Sequence, residues 1–141
     1  MNNADLMIRI LRDAGVTHAF GIPSGNVLPM LEAVRAGGIE FVLMAHEGSA
    51  GFAAEVMARL TGRPGFCLAT MGPGATNLTT GVGCAYLDRS PVVAVTCNVP
   101  THQLGRVVAV HHTGWHRNTS QHIQTGSPQM REVLRCEWLS G

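Results

Sequence analysis

The chain contains 141 residues with a formal net charge of +1, and 13% of its residues are charged. A chain of this length forms one domain around one core, and its balanced charge gives no field that would attract nucleic acid or an anionic membrane. No segment approaches the ~20 consecutive apolar residues of a membrane span. The first residues lack the cationic start of a signal peptide, so we expect a cytoplasmic protein.

Hydrophobic residues make up 45% of the chain and aromatic residues only 5%, and there are 17 glycines. This composition favours a layered α/β domain over an all-β sandwich. The four cysteines are far apart and show no CxxC pairing, which predicts free thiols rather than a zinc ribbon or a redox motif. They are Cys67, Cys84, Cys97 and Cys136.

The first part of the chain alternates helical and extended patterns. Apolar residues recur at helical spacing over residues 6–14, behind Asn3 as a candidate N-cap, and Gly15 follows where a helix commonly ends. A short run at residues 17–20 predicts a strand that stops at the loop Gly21-Ile22-Pro23-Ser24-Gly25. The next predicted elements are a helix at residues 26–36 and a strand at residues 40–44.

The middle of the chain continues the same alternation. Residues 47–60 form a predicted helix rich in alanine and glycine, which we expect to pack unusually close to its neighbours. The further predicted elements are a strand at 65–70, a Gly-Pro-Gly loop at 71–76, a helix at 77–87 and a strand at 91–96. Apolar strands that alternate with helices predict a parallel sheet with helices on both faces, and such sheets bind ligands at the C-terminal ends of their strands.

Three features follow predicted strands and are expected to meet at that edge: the loop at residues 21–25, the pair His46-Glu47, and the segment at residues 72–77. A carboxylate at the start of a helix, as at Glu47, gains from the exposed N–H groups, so Glu47 is either a simple helix cap or a functional acid. The Gly-Pro-Gly segment is either a tight turn or an anion cradle, and it matches no phosphate-binding fingerprint. Ser24 lacks the Gly-x-Ser-x-Gly context of a serine hydrolase.

A set of motifs in the first hundred residues resembles the pyrimidine-binding domain of thiamine-diphosphate-dependent enzymes of the acetolactate synthase and 2-keto-acid decarboxylase type. Any single match is weak, but their order and spacing together are specific. The matching motifs are Phe20-Gly21-Ile22-Pro23, then His46-Glu47 followed by Ala50, Ala53, Ala54, Ala58 and Arg59, then Thr61-Gly62-Arg63-Pro64-Gly65, Gly72-Pro73-Gly74-Ala75-Thr76-Asn77, Gly81, Ala85 and Asp88-Arg89-Ser90-Pro91.

The resemblance implies a role for Glu47. In this family a glutamate hydrogen-bonds N1′ of the aminopyrimidine ring, which favours the tautomer whose 4′-nitrogen removes the C2 proton of the thiazolium. Glu47 would then be the catalytic residue, in an apolar pocket. The same match implies that Pro23, Ser24 and Gly25 line the cofactor or substrate, and that Gly74 and Asn77 shape the loop beside it. His46 either orients this loop or is a satisfied buried histidine.

The resemblance also implies that half of the active site lies outside this chain. The family holds the diphosphate and Mg²⁺ on another domain through a Gly-Asp-Gly motif, which this sequence lacks. We therefore expect the chain to bind only the pyrimidine end of thiamine diphosphate, to hold no metal itself, and to need a partner domain or subunit in a homo- or hetero-oligomer. It is then either a small subunit of a split enzyme or a fragment. The 2-keto acid, and the choice between carboligation and decarboxylation, stay open.

Two other functional classes compete with this interpretation. One is a truncated or inactive domain that folds without performing chemistry, and the other is a nucleotide-binding α/β module, which the missing phosphate fingerprints disfavour. We expect the pyrimidine-binding domain over residues 1–100 and an atypical tail over residues 101–141.

The tail differs in character from the rest of the chain and matches no continuation of the family. Its pair His111-His112 is similar to a double histidine of pyruvate decarboxylases, and a zinc site would require four histidines without a recognised spacing. We hypothesise instead that the reading frame was interrupted near residue 106, which translation of all frames of the source DNA would test. The four histidines are His111, His112, His116 and His122.

Overall fold

The computed structural model describes residues 2–97, and the predictions for the tail, for its histidines and for Cys136 lie outside them. Four parallel strands form one sheet in the order β2-β1-β3-β4. The helices are α1 (Asn3–Asp13), α2 (Leu28–Ala36), α3 (Glu47–Thr61) and α4 (Pro73–Leu87), with a short 3-10 turn at Gly25–Val27; the strands are β1 (His18–Gly21), β2 (Glu40–Leu43), β3 (Gly65–Ala69) and β4 (Val92–Thr96). The predicted α/β alternation is confirmed.

Helices cover the sheet on both faces, as predicted. The core on one face joins α1 and α2 to the sheet, and the core on the other joins α3 and α4 to it. The central strand β3 is buried at every position and alternates between the two cores, with Phe66 and Leu68 in one and Cys67 and Ala69 in the other. A run of buried apolar residues without polar alternation is expected for a parallel strand enclosed by two helical layers.

Helix α1 begins one residue earlier than predicted. Asn2, rather than Asn3, is the N-cap, and its side chain accepts a hydrogen bond from the backbone N–H of Asp5 at 2.9 Å. The carboxylate of Asp5 in turn accepts a hydrogen bond from the backbone N–H of Asn2 at 2.9 Å, which completes a capping box. Asparagine is a favoured N-cap residue at either position, and the acidic residue three positions after Asn2 is the signal that favours Asn2.

Helix α4 begins at Pro73, four residues before the predicted start, so the segment predicted as a loop at 71–76 is mostly the first turn of a helix. The predicted start was wrong because Gly-Pro-Gly was assigned to a loop that precedes the helix. Proline is favoured in the first turn of a helix, where its missing N–H needs no partner. Gly72 makes the entry with a φ of 64°, a conformation that glycine adopts without the steric penalty of a side chain.

Helices α3 and α4 touch through their backbones. A Cβ atom placed on Gly81 would lie 2.7 Å from the Cα of Gly51 and 2.8 Å from the carbonyl oxygen of Gly48. No real side chain fits at these distances, so the glycines are what permit the approach. The expected close packing of the small-residue helix is confirmed, and α4 is the neighbour that it contacts.

A polar network joins the C-terminal halves of the same two helices. Arg59 lies 3.4 Å from the buried carboxylate of Glu55 and 3.1 Å from that of Asp88, and the hydroxyl of Ser90 donates to Glu55 at 3.5 Å. Burial opposes ionisation of Glu55, but its hydrogen bonds with Cys84, Asp88 and Arg59 outweigh this effect, and the pKa of Glu55 lies below its ordinary value. The hydrogen bond to Glu55 in turn raises the pKa of the Cys84 thiol.

The cysteines of the described region are free thiols, as predicted. Cys67 is fully enclosed between β3 and the α3–α4 layer, and this burial raises the pKa of its thiol to about 12. Cys97 is also buried, whereas Cys84 is half-buried. Within residues 2–97, none of the helices has the length and apolar character needed to cross a membrane.

Candidate functional site

The C-terminal ends of three adjacent strands lie at one edge of the sheet. Gly21 at the end of β1 pairs with Leu43 at the end of β2 and with Leu68 near the end of β3. The loop after β1, the start of α3 after β2 and the start of α4 after β3 therefore share this edge. The predicted convergence of the three sequence features is confirmed, and parallel α/β sheets place their ligand sites at such edges.

Glu47 and Asn77 are in direct contact at this edge. The side-chain amide of Asn77 in α4 donates a hydrogen bond to Oε2 of Glu47 at 3.1 Å. Glu47 is half-buried rather than enclosed, and its Oε1 accepts no hydrogen bond from residues 2–97. The two helices thus present a carboxylate whose Oε2 is held by Asn77 and whose Oε1 is available to accept a hydrogen bond from a ligand.

Gly74 lies against the free side of this carboxylate. A Cβ atom on Gly74 would be 3.3 Å from Oε1 of Glu47 and 2.7 Å from Cγ2 of Thr70. Any side chain at position 74 would therefore crowd the carboxylate or the end of β3. The structure brings together Glu47, Gly74 and Asn77, as the sequence motifs suggested, although Gly74 and Asn77 belong to the first turns of α4 rather than to a loop.

The helix cap at the start of α3 is His46, not Glu47. The ring nitrogen Nδ1 of His46 accepts the backbone N–H of Gly48 at 3.0 Å. Glu47 is the first residue of the helix, and its carboxylate accepts from Asn77 instead. The interpretation of Glu47 as a simple N-terminal cap is therefore wrong. His46 is exposed, so the interpretation of it as a buried histidine is wrong as well.

The loop after β1 contributes a buried hydroxyl. Oγ of Ser24 is inaccessible to solvent and has no hydrogen-bond partner within the described part of the chain. Pro23 and Gly25 on either side of it are exposed, and a Cβ atom on Gly25 would meet nothing within 4 Å. The thiol of Cys97, just past β4, donates to the carbonyl of Asn26 at 3.2 Å and fastens the end of this loop to the sheet. A buried, unpaired hydroxyl is uncommon and calls for a partner.

Sequence reasoning missed two features of this helical layer. Histidine is not among the usual N-cap residues, so only its position between a strand and a helix could have indicated the capping role of His46. The buried Glu55 was also missed. Its signal was a carboxylate among alanines, glycines and methionine, two turns after Glu47.

One cluster among residues 2–97 has the composition of a cation site. Donor atoms of Glu55, Cys84 and Asp88 lie within 4.8 Å of one another. Arg59 contacts both carboxylates, and its guanidinium supplies the positive charge that the cluster requires. The cluster is thus the ion-pair network that holds α3 to α4, away from the strand-end site.

Comparison with known proteins gives consistent matches. The family described as "Thiamine pyrophosphate enzyme, N-terminal TPP binding domain" matches residues 1–127. The acetolactate synthase isozyme 2 large subunit of Escherichia coli is 47% identical over 105 residues, which is 74% of this chain and 19% of that protein. The acetolactate synthase of Arthrospira platensis is 48% identical over 109 residues, with the same coverage.

An archaeal relative shows the same relation. The probable acetolactate synthase large subunit of Methanocaldococcus jannaschii is 44% identical over 105 residues, which is 74% of this chain and 18% of that protein. The chain thus spans about a fifth of the length of the curated relatives that it matches. The chain belongs to the thiamine pyrophosphate (thiamine diphosphate) enzyme family and corresponds to its N-terminal TPP binding domain.

Proposed function

We propose that this chain forms the pyrimidine-binding half of an active site that acts on 2-keto acids, by acetolactate synthase-like carboligation or by decarboxylation. The observation that carries the proposal is the carboxylate of Glu47 at the strand-end edge, held through Oε2 by Asn77 and with Oε1 available. We assign this role to residues 1–100 and treat residues 101–141 as a separate segment. Alone, the chain is expected to be inactive.

The residues at this edge suit an aminopyrimidine ring. Such a ring is flat and carries a nitrogen that can share a proton with a carboxylate, and Glu47 offers an oxygen for that contact. Gly74 keeps the space beside Oε1 free of a side chain. The buried hydroxyl of Ser24 supplies a polar group that has no hydrogen-bond partner among residues 2–97, and the open space at Gly25, next to Pro23, leaves room for a ligand along the loop.

Thiamine diphosphate, when bound, supplies a thiazolium ring that accepts the electron pair released when a 2-keto acid loses its carboxylate. The residues of this chain would hold and orient the proton on the pyrimidine ring. Glu47 would hold a proton at N1′ of the pyrimidine, and Asn77 would keep the carboxylate aimed by occupying its other oxygen. Ser24, Pro23 and Gly25 would position the ring or the substrate from the neighbouring loop.

The diphosphate and Mg²⁺ require a second domain in this proposal, because the chain has no Gly-Asp-Gly motif. The length of the relatives is consistent with such a second domain, since about four fifths of each relative lies outside the match. A surface of this chain also supports a partner. Phe52, Val56 and Leu60 recur every four residues on α3 with 40%, 51% and 80% of their surface exposed, and exposed apolar stripes of this kind mark protein contacts.

A chimaera tests the proposal. The matching segment of the Arthrospira platensis acetolactate synthase is replaced by the corresponding segment of this chain, and acetolactate formation from pyruvate is measured. We expect activity with Glu47 and a loss of about 100-fold or more with Glu47→Gln or Glu47→Ala, since positioned proton transfer contributes about 10²–10⁴ in rate.

Glu32→Gln is the matched control, because Glu32 is an exposed carboxylate on α2 that pairs with Arg35 at 2.6 Å, in the opposite helical layer. This variant should keep the activity of the parent chimaera. Activity within tenfold of the parent in Glu47→Gln would refute the assignment of Glu47. A folded, thiamine-diphosphate-binding chimaera without activity would refute the proposed chemistry while leaving the fold assignment intact.

A further inference from the structure

We propose that His46 is a positioning residue for Glu47: its neutral ring, with the proton on Nε2, caps α3, and its protonation releases the start of this helix. The functional consequence rests on the role proposed for Glu47. The structural part, a tautomer and a cap that respond to pH, stands without it.

The hydrogen bond at the cap assigns the tautomer. Nδ1 of His46 accepts the N–H of Gly48 at 3.0 Å, and a nitrogen that accepts a hydrogen bond carries no proton. In a neutral imidazole the proton is then on Nε2. The backbone of His46 is extended, with φ −153° and ψ 142°, as at N-caps whose side chains reach back to the helix.

The ring is part of a chain of contacts that ends at the carboxylate. A Cβ atom on Gly48 would lie 3.1 Å from Nδ1 of His46 and 3.2 Å from the backbone carbonyl of Asn77, so the ring and α4 both lie close to Gly48. Asn77 in turn donates to Glu47. Displacement of the ring therefore loosens the start of α3 at the residue that precedes Glu47 and at the residue that follows it.

Protonation of the His46 ring weakens the cap of α3 in two ways. It converts Nδ1 from an acceptor into a donor that faces the N–H of Gly48, and it places a cation at the positive end of a helix. The cap is therefore made by the neutral ring and is lost when the ring takes up a proton.

The charged surroundings of His46 are simple. Glu47 adjoins it, and the segments that meet at this edge carry one other ionisable side chain, the buried thiol of Cys67 in β3. These segments are residues 22–27, 41–45, 66–72 and 73–83.

Nuclear magnetic resonance of the full 141-residue chain tests the inference. Long-range ¹H–¹⁵N spectra identify the protonated ring nitrogen of His46, and the amide signals of Gly48 and of the Asn77 side chain are followed from pH 8 to pH 5. We expect the Nε2–H tautomer at pH 8 and a common titration of both amide signals with the His46 ring. An Nδ1–H tautomer at pH 8, or a Gly48 amide that ignores the titration of His46, would overturn the proposal.

Two variants distinguish the capping hydrogen bond of His46 from the mere presence of a side chain at this position. His46→Asn keeps a capping acceptor but does not titrate, so its Asn77 signal should be independent of pH and match that of the wild type at pH 8. His46→Ala should show a displaced Asn77 signal at every pH. If His46→Ala fails to fold, the comparison of the wild type with His46→Asn still decides the matter, because a pH-dependent Asn77 signal in His46→Asn contradicts the inference.

The chimaera connects the cap to activity. Because the start of α3 would no longer hold the Glu47 carboxylate in place, His46→Ala should lower activity at pH 8 several-fold, and His46→Asn, which keeps a capping acceptor, should restore it and extend activity to lower pH. An inactive parent chimaera with the expected tautomer would refute the proposed function but not the cap. An active parent whose pH profile is unchanged in His46→Asn would refute the functional role of His46.

Discussion

The backbone contact between α3 and α4 can be tested by adding one methyl group at each of two positions on the same helix. Gly81→Ala would place a Cβ atom 2.7 Å from the Cα of Gly51 and 2.8 Å from the carbonyl oxygen of Gly48. Both neighbours are backbone atoms, which cannot rotate away. To reach an ordinary contact of 3.4 Å, the helices must separate by about 0.7 Å, since close-packed interiors offer no spare volume.

The magnitude follows from two opposing effects. Alanine gains about 1 kcal/mol over glycine from helix propensity, whereas overpacking against a rigid neighbour costs about 1–3 kcal/mol and at times more. Because both clashing neighbours are backbone atoms, we expect the upper part of this cost, about 2–3 kcal/mol, and therefore a net decrease of about 1–2 kcal/mol in the free energy of unfolding of Gly81→Ala. The same separation would lengthen the 3.1 Å hydrogen bond from Asn77 to Glu47 beyond hydrogen-bonding range.

Gly83→Ala is the control. It lies in the same helix, two residues further on, where a Cβ atom would meet nothing within 4 Å, so only the propensity gain applies and stability should rise by about 0.5–1 kcal/mol. Urea unfolding of the full chain, followed by far-UV circular dichroism, measures both. Equal shifts of the two variants, or a Gly81→Ala variant as stable as the wild type, would refute the account of the helix contact.

Two further predictions concern pH. The raised pKa of Cys67, from 9.0 to about 12, means that the folded state keeps a proton that the unfolded state loses, so stability should fall by about 1.4 kcal/mol per pH unit above pH 9. Urea titrations under reducing conditions at pH 8 and pH 10.5 should show a loss that is about 2 kcal/mol larger in the wild type than in Cys67→Val, which keeps only the contribution of thiols such as Cys84; the chain contains no lysine to obscure the comparison, and equal losses in the two proteins would contradict the prediction. Glu55 has a lowered pKa, so its contribution is present above the ordinary carboxylate pKa and is lost as pH falls through the folded-state pKa. Between pH 5 and pH 3 the wild type should therefore lose more stability than Glu55→Gln, and identical acid profiles would show that the network around Glu55 does not favour its ionised form.

Most of the fold could be predicted because its local signals agree with its layers. The apolar runs of β3 and β4 and the glycines after α1 and α2 indicated the elements and their order, and the parallel arrangement then placed the three strand ends together. The start of α4 was missed because proline after glycine is a turn signal and also a favoured first helical residue.

The candidate site could be predicted as a set of residues but not as an arrangement. The motifs indicated Glu47, Gly74 and Asn77, yet the hydrogen bond between Glu47 and Asn77 depends on how closely two helices approach, which no local pattern reports. The role of His46 depends on the orientation of its ring. The buried position of Glu55 depends on Arg59, Cys84 and Asp88, the last two of which come from the end of the next helix.

The glycine contact between α3 and α4 has a consequence for how this layer tolerates change. Where helices are separated by large side chains, a lost methylene on one side can be offset by a gained methylene on the other, and the spacing drifts in small steps. At Gly51 and Gly81 main-chain atoms meet directly, so there is no side-chain volume to exchange. The spacing between Glu47 and Asn77 is therefore expected to be either kept or lost, with few intermediate values open to substitution in the interface.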